Sequence, residues 1–145
     1  MSHFTTLKTK IMDLDVLEQA LVRLQRPYRR AKGGKGGKGG KGIEVRGYQG
    51  ATTKAELVIN YGKYDVGLTK EPDGSYTLVA DWWGIQNTAG LSERQVAEAI
   101  NQEYALVRVW FLCQKQGYSI RPEDIQRDET GNLVVTACKL TPKGR

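Results

Sequence analysis

The chain of 145 residues contains few of the side chains that build metal sites and catalytic centres. It has one histidine, His3, and two cysteines, Cys113 and Cys138, each in a stretch that contains several apolar residues. A metal site needs several convergent ligands, and a general base needs a neighbouring nucleophile or acid; no spacing indicates either. We therefore expect no catalytic residues, no metal and no cofactor. We interpret both cysteines as buried free thiols in a reducing compartment, with a disulfide or a reactive thiol as the alternative.

Long apolar runs are also missing. No stretch is long enough to span a bilayer, which predicts no membrane insertion. The first residues, Met1 to Phe4, show neither the apolar core of a signal peptide nor the Arg- and Ser-rich pattern of an organelle import signal. We therefore expect a cytoplasmic protein that is made where it works, either in a bacterial cytosol or in an organelle that encodes it.

Positive charge is concentrated in one segment. The formal net charge is +6, from 22 Lys and Arg residues and 16 Asp and Glu residues. Residues 26–46 hold eight of the cationic side chains against Glu44 alone, a net charge of +7, which leaves −1 for the rest. A partner that is selected by positive charge would therefore bind this segment.

The remaining chain shows strand and helix patterns. Apolar residues spaced by three or four predict two helices. The first is capped by Asp13 and stops at Pro27. The second begins with a Ser92–Gln95 capping box and ends at Gly117. Alternating patterns predict strands over residues 3–11, 57–61, 64–69, 75–83, 118–121 and 133–140, with order also regained at 43–46. Residues 47–53 and 84–90 are predicted to be loops.

Three of these strands follow one another without an intervening helix, and Pro72-Asp73-Gly74 predicts the turn between the last two. We therefore predict one domain over residues 1–145. Its fold class is α+β, a two-layer sandwich in which two helices pack on a mainly antiparallel sheet. The Lys-Gly repeat of residues 32–42 is predicted to be a flexible loop, because glycine at this density buries no apolar surface.

Three stretches resemble a known family. The three stretches are the opening Met1-Ser2-His3-Phe4-Thr5-Thr6, the segment 73–84 with its Asp-Trp-Trp-Gly end, and the helical segment 102–118. In this order along the chain, they are similar to the hypothetical chloroplast open reading frame 35 family, also filed as domain of unknown function 1257. The resemblance implies a photosynthesis-associated protein of cyanobacteria or algal plastids (plastid stroma in the latter), with no recognised catalytic residue. The resemblance also implies AAA-type ATPases or ferredoxin-like proteins as partners, because genes of the family often lie next to genes for such proteins. The Lys-Gly tract departs from the family pattern.

The pair Trp82-Trp83 provides the first functional hypothesis. Because adjacent residues of a strand point to opposite faces, we expect one indole in the core and one at the surface, where Trp and Tyr favour interfaces. We predict a non-enzymatic accessory or adaptor protein that binds another protein. The candidate partner surface is His3, Tyr64, Tyr76, Asp81, Trp82 and Trp83. The alternative is structural, with the aromatic residues in the core and Asp81 capping a turn.

The basic segment provides the second hypothesis, an RNA- or ribosome-associated module. Flexible lysines neutralise phosphates, and an aromatic ring among them can stack on a base. The candidate anion contacts are Tyr28, Arg29, Arg30, Lys32, Lys35, Lys38 and Lys41. The tract is not a P-loop, because glycine follows each of its lysines. A solubilising loop or a contact with an acidic surface are the alternatives. An enzyme would require Asp81, His3 and Tyr64 to converge.

Overall fold

The computed structural model describes residues 3–31, 42–119, 124–130, 133–135 and 138–139. The lysines of the tract, at positions 32–41, lie outside the described residues, so its flexibility stays a prediction. The helices are α1 (Leu14–Leu24), α2 (Trp82–Ala89) and α3 (Glu93–Lys115). The strands are β1 (Thr5–Lys8), β2 (Tyr28–Arg30), β3 (Ile43–Arg46), β4 (Thr52–Ala55), β5 (Leu57–Asn60), β6 (Asp65–Lys70), β7 (Tyr76–Ala80), β8 (Tyr118–Ser119), β9 (Ile125–Arg127), β10 (Leu133–Val135) and β11 (Cys138–Lys139).

The central sheet is antiparallel and has the strand order β1-β7-β6-β5-β2. Its middle is the predicted meander, in which Leu68 of β6 lies opposite both Leu57 of β5 and Leu78 of β7. The helices cover one face of this sheet, and Leu17, Leu21, Leu57, Leu68, Leu78 and Ile100 are fully buried there. The predicted α+β class with a mainly antiparallel sheet is therefore confirmed.

Both predicted helix caps are present. The Asp13 side chain accepts hydrogen bonds from the backbone N–H groups of Asp15 and Val16, and Ser92 and Gln95 exchange both bonds of a capping box. The Tyr104 hydroxyl of α3 accepts the N–H groups of Met12 and Asp13, which fixes α3 against the start of α1. Within the described ranges, no helix has the length and apolar character needed to cross a membrane.

The second face of the sheet carries a small hairpin. Strands β3 and β4 pair antiparallel, and their Val45 and Ala55 pack on Val58 and Val79 of the sheet. The hairpin approaches closely because Gly67 lies beneath it, where a methyl group would lie 2.6 Å from Val45 Cγ2. The predicted loop over residues 47–53 is thus too long, because the β-branched Thr52 and Thr53 begin β4.

The prediction of a strand to residue 83 and a linker over 84–90 is wrong. Strand β7 ends at Ala80, and α2 occupies Trp82–Ala89, so the described part of the chain has three α-helices where two were predicted. Asp81 is the N-cap of α2, and Gly90 closes the helix at φ 73° in the left-handed region. The Trp-Trp pair favours a strand locally, but the caps at both ends and the burial of Ile85 in the core stabilise a helix here.

Candidate functional site

The candidate site lies at one end of the central sheet. At this end β7 and β3 finish at Ala80 and Arg46, while β6 begins at Asp65. Thr5 of β1 lies opposite Ala80, so the residues just before β1 belong to the same end. The segments that leave or enter these four strands therefore surround the start of α2.

Asp81 joins two of these segments. Its carboxylate is 1% exposed, and one oxygen, Oδ1, accepts the N–H of Gly84 at 3.0 Å. The other oxygen, Oδ2, accepts the N–H of Tyr48 at 3.1 Å. The predicted capping role of Asp81 is confirmed, and the same side chain also fixes the segment that follows β3.

The two indoles separate as expected, but for a different reason. Trp82 is 9% exposed and packs in the core, whereas Trp83 is 51% exposed. They lie on α2, where consecutive residues are about 100° apart, so one faces the sheet and the other faces outward. The indole N–H of Trp82 is buried and has no hydrogen-bond partner among the described residues.

A second exposed aromatic residue, Tyr48, contacts Trp83. The ring of Trp83 meets that of Tyr48 edge to face, with centroids 5.8 Å apart and an interplanar angle of 86°. Tyr48 is itself exposed and is held by Asp81 through its backbone. We call Trp83 and Tyr48 the aromatic patch.

Tyr64 supports the base of α2. Its ring lies against Gly84 so closely that a methyl group there would be 1.6 Å from Tyr64 Cε2. Partial burial, followed by the negative charge of Asp81 and then by Tyr48, raises the pKa of the Tyr64 phenol. Tyr64 therefore remains neutral at physiological pH beside the aromatic patch.

Several predicted surface residues are placed elsewhere. Tyr76 is buried at the opposite end of β7, where burial, more than nearby Glu56, raises its pKa. The prediction of an exposed surface is wrong for Tyr76, Asp81 and Trp82, because all three side chains pack inside the fold. His3 is exposed just before β1. Trp83 alone of the predicted set is a largely exposed aromatic residue.

Tyr48 is the residue that sequence reasoning missed. It lies in the segment Gly47-Tyr48-Gln49-Gly50, which was predicted as a plain loop. An aromatic residue between glycines inside a predicted loop is the signal that could have identified it, since loops carry many binding residues.

An ion pair between the partly exposed Arg46 and the buried Asp65 stabilises this end of the sheet. Arg46 donates Nε–H to Asp65 Oδ2 at 2.9 Å and Nη2–H to Oδ1 at 2.8 Å. The backbone N–H of Arg46 also bonds Oδ2, at 2.9 Å. The carboxylate of Asp65 is buried, and its hydrogen bonds raise the pKa of Arg46. The pair fixes the end of β3 to the start of β6.

Two of the predicted anion contacts are engaged inside the protein. Arg30 Nη1 lies 2.6 Å from a carboxylate oxygen of both Asp15 and Glu18, and these contacts raise its pKa, the Asp15 hydrogen bond most. Tyr28 donates its hydroxyl to Glu18 at 2.9 Å; burial and then this bond raise the pKa of Tyr28. Both side chains therefore already have acidic partners within the protein, and their role as anion contacts stays a prediction.

Arg29 has a different environment. It is exposed on β2 and lines an open cleft of about 390 Å³ together with Pro27, Asn60 and Arg46. Of the two predicted arginine contacts, Arg29 is the one with an exposed side chain. The four predicted lysine contacts, Lys32, Lys35, Lys38 and Lys41, lie outside the described residues.

The cysteine prediction is partly met. Cys113 is a free thiol on α3, but it is only half-buried. The side chain of Cys138 lies outside the described part of the chain, so its burial stays a prediction. Within the described ranges, no three His, Cys, Asp or Glu side chains converge in a way that could hold a metal ion.

Comparisons with known proteins give one family. A family model described as "Protein of unknown function (DUF1257)" matches residues 34–134. Neither the curated proteins nor the solved structures give a significant match.

Proposed function

Since the chain belongs to the family described as "Protein of unknown function (DUF1257)", we propose a function from the site itself. The protein is a non-enzymatic accessory protein of a photosynthetic lineage that binds another protein through the aromatic patch. The lineage and the AAA-type ATPase or ferredoxin-like partners are supported by the sequence resemblance alone. The binding surface is supported by the geometry of Trp83.

The observation that carries the proposal is an exposed indole on a rigid support. Trp83 is half exposed, yet it is fixed by the ring of Tyr48 and by its place in the first turn of α2. Its backbone carbonyl also accepts the side-chain N–H of Asn87 at 2.7 Å. A large side chain that is already ordered loses little entropy on binding, which is why Trp and Tyr often supply most of the energy of an interface.

The arrangement also indicates the chemistry of the partner. Trp83 offers a flat apolar ring with one N–H donor, and Tyr48 offers a second ring at right angles to it. A protein with an apolar pocket and a hydrogen-bond acceptor at its rim would cover both rings.

The test is affinity purification from native extract with three forms of the protein. Trp83→Ala removes the exposed indole, and Trp110→Ala is the matched control, because Trp110 is also exposed but lies on α3, stacked on Phe111. We expect the wild type and Trp110→Ala to retain the same partner and Trp83→Ala to lose it, with circular dichroism unchanged. A partner that is retained by Trp83→Ala, or the absence of any reproducible partner, contradicts the proposal.

A second candidate function is association with RNA or the ribosome. The supporting observation is that both ends of the tract meet at one point of the sheet. The N–H of Ala31 bonds the carbonyl of Glu56 at 2.8 Å, and a methyl group on Gly42 would lie 3.3 Å from the backbone nitrogen of Ala55. The two residues that flank the tract therefore lie close together, and Ala31 is two residues from Arg29. The proposal assigns the charge of the four tract lysines to the same surface as Arg29.

Sedimentation on sucrose gradients at low and high salt tests this second function. The variant changes Lys32, Lys35, Lys38 and Lys41 to Ser and keeps the length of the tract. We expect co-sedimentation with ribosomes at low salt that weakens at high salt and in the variant. Co-sedimentation that is indifferent to the four lysines excludes this function.

A further inference from the structure

A second groove, away from the aromatic patch, is lined by both basic and apolar side chains. It has a volume of about 850 Å³ and runs between the end of β1 and the C-terminal half of α3. Lys8, Thr9 and Lys10 line it on the sheet side, and Arg108, Val109 and Leu112 line it on the helix side. We propose that this groove binds an extended segment of a partner protein with alternating acidic and apolar residues, which adds to β1 as a further strand.

The sheet side of the groove is an open strand edge. Within the described residues β1 pairs only with β7, so every second residue of β1 turns its backbone N–H and C=O away from the sheet. Such an edge is a template for another strand. An extended peptide can satisfy these groups without any change in the fold.

The helix side supplies apolar surface. Val109 is 42% exposed and Leu112 is 50% exposed, and they lie three residues apart on α3, so they face the same way. Tyr104 lies at the base of the groove. A strand beside β1 would cover both exposed side chains with the half of its residues that point toward the helices.

The other half of its residues would meet positive charge. Leu7 packs toward the helix layer, so its neighbour Lys8 points to the opposite face of the sheet, and Lys10 is exposed. Among the described residues neither lysine forms an ion pair, and Asp73, whose pKa Lys8 helps to lower, already accepts two hydrogen bonds from Ser75. Side chains that lie opposite each other on paired strands attract when their charges differ. This geometry selects acidic residues in alternation with apolar ones.

The charges also disfavour two other occupants of the groove. In a second copy of this chain paired antiparallel through β1 and centred on Thr9, Lys8 of each copy would lie opposite Lys10 of the other, and like charges in opposite positions destabilise a strand pair. Residues 140–145 of this chain contain Lys143 and Arg145 and no acidic side chain. A separate acidic partner fits the groove better than either.

The experiment uses the full chain and a labelled peptide of alternating Glu and Val, followed by fluorescence anisotropy. We expect saturable binding that Lys8→Glu/Lys10→Glu weakens by roughly tenfold or more, because it reverses the complementary charge. Lys54→Glu is the matched control, since Lys54 is exposed on β4 and does not line the groove. Binding to this control and to Trp83→Ala should match the wild type.

Two further measurements separate strand addition from simple attraction of charge. A peptide of the same composition with Glu and Val in separate blocks, and a peptide with alternate amides N-methylated, should both bind at least several-fold more weakly. The outward-facing amides of Thr5–Lys8, at every second residue, should gain protection from hydrogen exchange with the alternating peptide. The proposal is overturned if the block peptide binds equally well, if the hydrogen-exchange protection of the β1 amides is unchanged, or if binding survives Lys8→Glu/Lys10→Glu. A dimer of the free protein that dissociates when the peptide binds would also overturn it.

Discussion

Arg46 neutralises a carboxylate that the fold buries. Asp65 receives three hydrogen bonds from Arg46 and lies where β6 begins, so removing Arg46 leaves a buried charge without its partner. Arg46→Met removes the guanidinium and keeps the length of the side chain. We expect it to lower the free energy of unfolding by roughly 2–4 kcal/mol, below the upper range for fully buried pairs because Arg46 is partly exposed. Urea denaturation measures this change.

Arg94→Met is the matched control. Arg94 and Glu98 form an exposed pair one helical turn apart on α3, where water screens the attraction. Arg94→Met should therefore leave the free energy of unfolding nearly unchanged. Equal effects of the two substitutions would show that the Arg46–Asp65 pair contributes no more than a surface contact.

Tyr61 makes the stability of the fold depend on pH in the alkaline range. Burial raises the pKa of its phenol above the ordinary value of 10.0, and the guanidinium of Arg26, 4.2 Å from the ring centre, offsets part of this rise. Because the folded pKa exceeds the unfolded one, the stabilisation is complete below about pH 10 and is lost as the pH rises through the folded value. Tyr61→Phe should therefore lose less stability than the wild type above pH 10.

Urea denaturation of both forms across neutral and alkaline pH checks this expectation. The difference in unfolding free energy between them should be constant from pH 7 to about pH 9 and should then shift in favour of Tyr61→Phe. Curves that stay parallel through the alkaline range would contradict it. The other tyrosines with raised pKa, Tyr28, Tyr64 and Tyr76, are present in both forms and cancel in the difference.

At the scale of elements, the sequence predicts those whose stabilising signals are local. Asp13, Ser92 and Gln95 cap their helices through neighbours two or three residues away, so their roles are readable from the chain. Helix α2 was missed although Asp81 and Gly90 mark its ends. Its interior contains Gly84 and Thr88, which form helices poorly, and its burial depends on distant residues such as Tyr64.

The β3–β4 hairpin depends on one glycine of another element. A methyl group at Gly67 would lie 2.6 Å from Val45 Cγ2 and 2.8 Å from Ala55 Cβ, so Gly67→Ala forces the hairpin away from the sheet. We expect a loss of about 1–3 kcal/mol in the free energy of unfolding, as for other overpacked cores. Urea denaturation with a double-mutant cycle measures it.

Val45→Ala completes the cycle. It removes the methyl groups nearest to Gly67, so the double variant Gly67→Ala/Val45→Ala should be more stable than the sum of the two single losses predicts. Simple additivity would mean that Val45 does not meet the new methyl group. The hairpin would then rest on the sheet less closely than its contacts indicate.

At the scale of the whole molecule, the sequence predicts the class of fold and half of the aromatic patch. Trp83 was proposed for the surface, but Tyr48 reaches it only because β3 and β7 end side by side, a contact between distant segments. The second core was missed for the same reason. Leu57 and Val58 are both buried, on opposite faces of β5, and only the paired hairpin explains the burial of Val58.

The positions of the two residues that flank the basic tract give the last prediction. Because Ala31 and Gly42 both lie against residues 55–56, a loop of about four Gly and Ser residues can replace residues 32–41. The shorter loop loses less entropy on closing, so the free energy of unfolding should stay equal or rise by up to about 1 kcal/mol. The chain with the four lysines changed to Ser is the control for charge at constant length. If the shortened chain unfolds, the tract is part of the fold; if it stays folded and retains the Trp83-dependent partner, protein binding is independent of the basic tract.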